Sequence, residues 1–233
     1  MTIARRQLMI GLFATGAGAA LAACGGGGSY VPPTRLVWVL NLNPEFAFVD
    51  VSFGAPGATV AQVVSPGLPF QAMTQPIEIA FGSYSIGMRD ASNPSSGRTV
   101  FFDNFNVDNN SPSVLVFYRN GTSTLLAPAP MGIVNYFDSN VALDVELDDT
   151  AGTVQFTPSL AFNASAPQAS QSPYCRLRLR RATDGVPVYD SAVQPRAGTI
   201  LIYPADPVSG LVAVVGLDYT FSSASAVVWP NTL

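Results

Sequence analysis

The chain has 233 residues, 48% hydrophobic and 11% charged, with eleven basic residues against fifteen acids. That balance predicts a folded chain with a sizeable core, and an acidic protein is a poor match for nucleic acid, whose phosphates need a dominant positive field. Every basic residue is Arg, and His and Lys are both absent. Their absence removes Ser-His-Asp and Cys-His nucleophiles, Schiff-base lysines, a phosphate-loop Lys and His-ligated zinc or haem.

Arg5 and Arg6 precede an Ala- and Gly-rich apolar stretch from Leu8 to Leu21, and Leu21-Ala22-Ala23-Cys24 follows. This is the layout of a cleavable secretory signal, with an apolar stretch too short to span a bilayer. The four residues ending at Cys24 resemble the lipobox of bacterial lipoproteins. The resemblance implies cleavage before Cys24, diacylation of Cys24, and a mature N-terminus held in a membrane leaflet. It also implies sorting to the outer membrane, facing the periplasm or the cell surface, since Gly25 stands where Asp would favour inner-membrane retention. The Arg5-Arg6 pair is compatible with export of the folded chain as well as with the ordinary unfolded route. Removing residues 1–23 takes the formal charge from −4 to about −6. Gly25 to Thr34 reads as a linker, flexible through Gly25-Gly26-Gly27-Gly28-Ser29 and stiffened by Pro32-Pro33.

From Arg35 the pattern is strand after strand. Leu36–Leu40, Phe48–Phe53, Ile77–Ala80, Tyr84–Met88, Thr99–Phe102 and Val114–Tyr118 are short apolar or alternating runs bounded by turn residues. Twenty Gly and nineteen Pro punctuate the chain. No amphipathic helix follows the signal, and no later run reaches the roughly 18–20 apolar residues of a spanning helix. Many short, evenly spaced strands indicate sandwiches or barrels.

A weak internal repeat organises these strands. Phe48–Phe53 is echoed by Ala142–Leu147, Ser85–Arg89 by Arg176–Arg180, Phe102-Asp103 by Tyr189-Asp190, and Val114–Tyr118 by Thr199–Tyr203, in the same order. The expected architecture is all-β: two tandem antiparallel β-sandwiches after the signal peptide and tether. The boundaries are 1–23 for the signal, 24–34 for the lipidated Cys and linker, 35–130 for the first sandwich and 131–233 for the second. The junction falls near Pro128-Ala129-Pro130; a single sandwich of about two hundred residues is the alternative.

Val37-Trp38-Val39-Leu40-Asn41-Leu42-Asn43-Pro44-Glu45-Phe46-Ala47-Phe48-Val49-Asp50-Val51 resembles, without gaps, the opening of a bacterial domain-of-unknown-function family. That family reads V-x-V-V-H-x-S-P-x-x-P-x-V-D-V in outline and often occurs in tandem in secreted proteins and lipoproteins. Val37, Val39, Pro44, Val49, Asp50 and Val51 match; Asn41 replaces the family's His and Ala47 its second Pro. The copy near Asp144 is shorter. The resemblance covers residues 35 to about 120 and implies an immunoglobulin-like sandwich, with no established activity.

Several residues invite a chemical reading. Asp144, Glu146 and Asp148 alternate with apolar residues, so they share one strand face, and Arg176, Arg178 and Arg180 share another. If the two strands are neighbours, the charges form a solvent-facing ion-pair ladder that fixes register. The sharper alternative makes the arginine row an anion site for sulfated glycan or lipid headgroups. Cys175 would face inward with Leu177 and Leu179, and with Cys24 lipidated it has no disulfide partner. Asp103 to Asn110 offers oxygen ligands for calcium but lacks the Gly and terminal Glu of a helix-loop-helix site; Asp108–Pro112, Asp148–Thr150 and Asp184-Gly185 read as turns. Trp38 and Trp229 could form a sugar platform, though each sits in an apolar strand. No carboxylate pair stands out for a glycan hydrolase.

The sequence therefore predicts a non-catalytic, membrane-anchored envelope lipoprotein, acting as a binding or structural module. It needs no cofactor or metal and no nucleic acid; its partners are the membrane, through lipid on Cys24, and an envelope protein or glycan. The alternative is a glycan-binding or glycan-active surface protein.

Overall fold

The structure is a computed structural model. It describes residues 32–233 apart from 58–61, 109–113, 120–122, 127–131, 150, 153, 168–173, 194–198, 220–223 and 230. Cys24 and the Pro128-Ala129-Pro130 junction lie outside the described residues. Residues from Pro32 to Leu233 form one compact unit.

Eight strands fill the first half: Thr34–Leu42 (β1), Phe48–Gly54 (β2), Gln62–Pro69 (β3), Ile77–Ala80 (β4), Gly82–Asp90 (β5), Thr99–Val107 (β6), Val114–Tyr118 (β7) and Ser123–Leu126 (β8). Nine follow: Gly132–Asn135 (β9), Leu143–Asp149 (β10), Val154–Leu160 (β11), Ser165–Pro167 (β12), Cys175–Arg181 (β13), Pro187–Val193 (β14), Thr199–Pro204 (β15), Val212–Tyr219 (β16) and Ala224–Trp229 (β17). A 3₁₀ turn at Pro94–Ser96 is the one named helical element among the described residues. The all-β sandwich expected from the sequence is the fold observed.

Strands pair only within their own half, and the two halves share one strand order. The sheets are β4-β1-β7-β8 and β3-β2-β5-β6, then β12-β9-β15-β16-β17 and β11-β10-β13-β14. The four segments of the sequence repeat occupy equivalent strands, β2 and β10, β5 and β13, β6 and β14, β7 and β15. The first strand of each half runs parallel to the seventh, Trp38 beside Val114 and Ile133 beside Ile200.

Three apolar layers hold the four sheets in a stack. Val37, Val39, Leu115 and Phe117 face Val51, Phe53, Ile86 and Met88 in the first half. Ile133, Ile200, Ile202 and Val214 face Val145, Leu147, Leu177 and Leu179 in the second. Between them lies a layer contributed by both halves: Trp38, Leu40, Leu42, Val114, Val116 and Tyr118 against Val134, Tyr136, Leu201, Tyr203, Val215 and Leu217. Strands β7 and β15 are buried along their whole length because both of their faces are covered. The middle layer has two-fold character. Tyr118 packs edge-on to Phe162 and its counterpart Tyr203 packs edge-on to Phe70, each at 6.0 Å, while Tyr118 stacks on Tyr136 at 4.4 Å. Equivalent residues meet reciprocally, as in an isologous dimer interface.

The repeat extends to buried polar contacts. Asn41 donates through Nδ2 to the carbonyls of Phe46 (3.2 Å) and Leu68 (3.4 Å), and its Oδ1 accepts from the Asn43 amide. Asn135 likewise donates to the Leu160 carbonyl at 2.9 Å and accepts from the Phe137 amide. Both side chains are fully buried, where an unmade hydrogen bond is expensive. Asp50 accepts from the Gly67 amide and Asp144 from the Ser159 amide, both at 2.9 Å. Gly67 and Ser159 have φ of 60° and 50°, so each carboxylate braces a left-handed kink where the edge strand shifts register. The Asp of the first-half motif is thus a structural brace.

Candidate functional site

The outer face of the β11-β10-β13-β14 sheet carries a row of acids beside a row of arginines. Its origin is plain alternation: β13 buries Cys175, Leu177 and Leu179 and turns Arg176, Arg178 and Arg180 outward, while β10 buries Leu143, Val145 and Leu147. The register sets Asp144 opposite Arg180, Glu146 opposite Arg178 and Asp148 opposite Arg176. A one-residue slip would drive three charges into the core, so burial holds the register.

The ion pairs run less simply than the register. Arg178 pairs with Glu146 and approaches Asp148 at 3.7 Å. Arg176 turns away from Asp148 and clasps Asp190 of β14 in a bidentate pair, 2.7 Å from Nε and 2.9 Å from Nη2. The guanidinium holds the Asp190 carboxyl below its ordinary range, chiefly through this hydrogen bond, and Asp190 holds Arg176 protonated even more firmly. Among the described residues Arg180 has no ion pair, and Asp144 serves the Ser159 amide. The expected pairing of the two strands, with acids opposite arginines on the outer face, is observed; the side-chain ion pairs within it form a network centred on Arg176 and Arg178, with Asp190 as a member. The Tyr189-Asp190 match in the repeat marked that position, but nothing in the sequence placed it beside Arg176. An anion approaching Arg176 must displace a bidentate carboxylate, which disfavours an anion at that end of the arginine row.

At one end of this face lies a cleft of about 390 Å³ lined by Asp148, Asp149, Tyr174, Cys175, Arg176, Ser191, Ala192 and Thr232. Tyr174 is 58% exposed at its rim, whereas Cys175 is buried on the inner side. Thr232 closes the cleft, its amide donating to the Asp190 carbonyl at 3.0 Å. Phe156, also exposed, sits beside Glu146 on the same face. Sequence reading missed both aromatics.

The other candidates resolve into structure. Asp103 to Val107 belong to β6, and Asn109 and Asn110 lie outside the described residues. Asp149 caps its turn by accepting from the Ala151 amide, and Asp184 from the Val186 amide. Among the described residues no three of Cys, Asp and Glu gather to hold a metal ion, and no helix is long and apolar enough to cross a membrane. Trp38 is buried in the middle layer, and Trp229 lies against Gly216. Neither offers an open sugar platform.

No family model matches the chain, and no curated protein matches it.

Proposed function

We propose that the chain is a lipid-anchored envelope protein of outer-membrane type whose β-sandwich unit is a non-catalytic binding or structural module. The observation that carries this reading is Leu21-Ala22-Ala23-Cys24 behind a short apolar stretch, with a glycine tether leading directly to Pro32 and β1. Supporting it, Arg176 and Arg178 on the charged face are held by Asp190, Glu146 and Asp148, so these acids pair with arginines rather than converge on a reacting atom. The tandem, immunoglobulin-like reading rests on the strand order shared by the two halves and on the motif from Val37 to Val51. Changing Cys24 to Ser removes the acylation site, so the variant should move to the soluble fraction, whereas retention in membranes after a high-salt wash would refute the anchor.

A glycan-binding role is the second reading, favoured by the exposed Tyr174 above a cleft with Asp148, Arg176 and Thr232. Sugars stack on aromatic faces and satisfy such polar groups. Tyr174→Ala should then abolish retention on immobilised envelope glycan; equal retention of both proteins would remove this reading and leave the first intact.

A further inference from the structure

Eight of the described strands lie at sheet edges: β3, β4, β6, β8, β11, β12, β14 and β17. An edge strand presents a row of backbone N–H and C=O groups without sheet partners, and stable proteins blunt it with proline, charge, bulges or short length. Strand β3 carries Pro66 and two register shifts, and β11 carries Pro158 and one. Strands β4 and β8 have four residues and β12 has three. Strand β6 meets a register shift. Strand β14 begins at Pro187, carries Asp190, and is bonded by Asn231 and Thr232.

Strand β17 has none of these devices. Ala224-Ser225-Ala226-Val227-Val228-Trp229 holds no charge and no proline, and it pairs with β16 in unbroken register. Val227 and Val228 are 55% and 36% exposed. In the shared strand order β17 is the extra strand, since the corresponding sheet of the first half ends at β8.

We infer that β17 is an association edge whose occupant is β17 of a second copy of this chain, paired antiparallel about a two-fold axis perpendicular to the sheet. Such pairing keeps each residue on its own face, so only registers that set like-facing residues opposite one another are allowed. The register centred on Val227 sets Val227 opposite Val227, Ala226 opposite Val228 and Ser225 opposite Trp229. Small side chains then face large ones, and the strand is complementary to itself. Charge selects the same edge: the chain is acidic, copies repel over much of their surface, and approach is cheapest along an uncharged strand. The product is one continuous sheet of twice five strands. Six residues a side is small beside the roughly 20–30 of a standard interface, so association is weak in dilute solution and grows with concentration. This inference stands whether or not Cys24 is acylated.

The test is Val227→Cys in the full chain under mild oxidation. Opposed residues at the two-fold lie within disulfide reach, so a disulfide-linked dimer should form at least about tenfold above both the parent chain and Val63→Cys, an exposed position on β3. In parallel, Val227→Lys should abolish concentration-dependent self-association in sedimentation equilibrium while leaving the thermal unfolding curve unchanged. Cross-linking no greater than that of Val63→Cys overturns the inference. So does self-association unaffected by Val227→Lys, or a cross-link from the introduced cysteine to a different envelope protein.

Discussion

Because the middle apolar layer draws buried residues from both halves, a defect placed deep in one half should weaken the other. Leu147 tests this, being fully buried between the two sheets of the second half and away from the middle layer. Leu147→Ala removes three carbons, worth about 0.8 kcal/mol each in transfer, and leaves a cavity that brings the cost to about 3 kcal/mol. If the halves open only together, amide exchange measured by mass spectrometry should accelerate by about a hundredfold in β13 and equally in β5, which belongs to the first half. The two strands belong to different core clusters, so the effect must pass through the contacts between the halves, chiefly the common layer. Acceleration confined to β13, with β5 exchanging as in the parent, would show that the layer does not couple the halves.

Three further outcomes follow from particular contacts. Asn41→Leu or Asn135→Leu should each cost about 2–4 kcal/mol in urea unfolding, because buried carbonyls and an amide lose their partner. Gly216→Ala should cost about 1–3 kcal/mol by driving a Cβ into the Trp229 ring, and adding Trp229→Leu should recover part of the loss. Stability should fall at both pH extremes through neighbouring residues. Asp190 is held below its ordinary 3.8, so its contribution is complete above that value and is lost as pH falls through the lower folded one. Burial pushes the Tyr189 phenol up to about 12, so its contribution is complete below 10.0 and is lost as pH rises from there toward 12. Asp190→Asn should flatten the acid limb of the unfolding profile, and Tyr189→Phe the alkaline one.

Alternation is why the charged face could be read from sequence. With Val145 and Leu147 on one side and Asp144, Glu146 and Asp148 on the other, a strand has one way to lie on a core, and the arginine strand obeys the same rule. Side-chain partnership was not legible, because a guanidinium reaches across two strands and Arg176 found Asp190 rather than the acid opposite it. Strands β7 and β15 are apolar on both faces and buried throughout, but no local pattern says that what covers them is the other half of the chain. Asn41 stood out only as a replacement for the resembled family's His. Its counterpart Asn135 sits in Ile133-Val134-Asn135, an echo of Val39-Leu40-Asn41 too short to notice without the shared strand order. The edge at β17 was hidden for another reason: a strand's exposure depends on what fails to pair with it.

The proposed address of the protein rests on one residue, Cys24, and the mature form it implies can be weighed. Intact mass spectrometry of the protein extracted from its native membrane should show a chain beginning at Cys24, carrying a diacylglyceryl group and lacking residues 1–23. A chain that still begins at Met1, or is cut elsewhere and carries no acyl mass, would contradict the lipid-anchored reading.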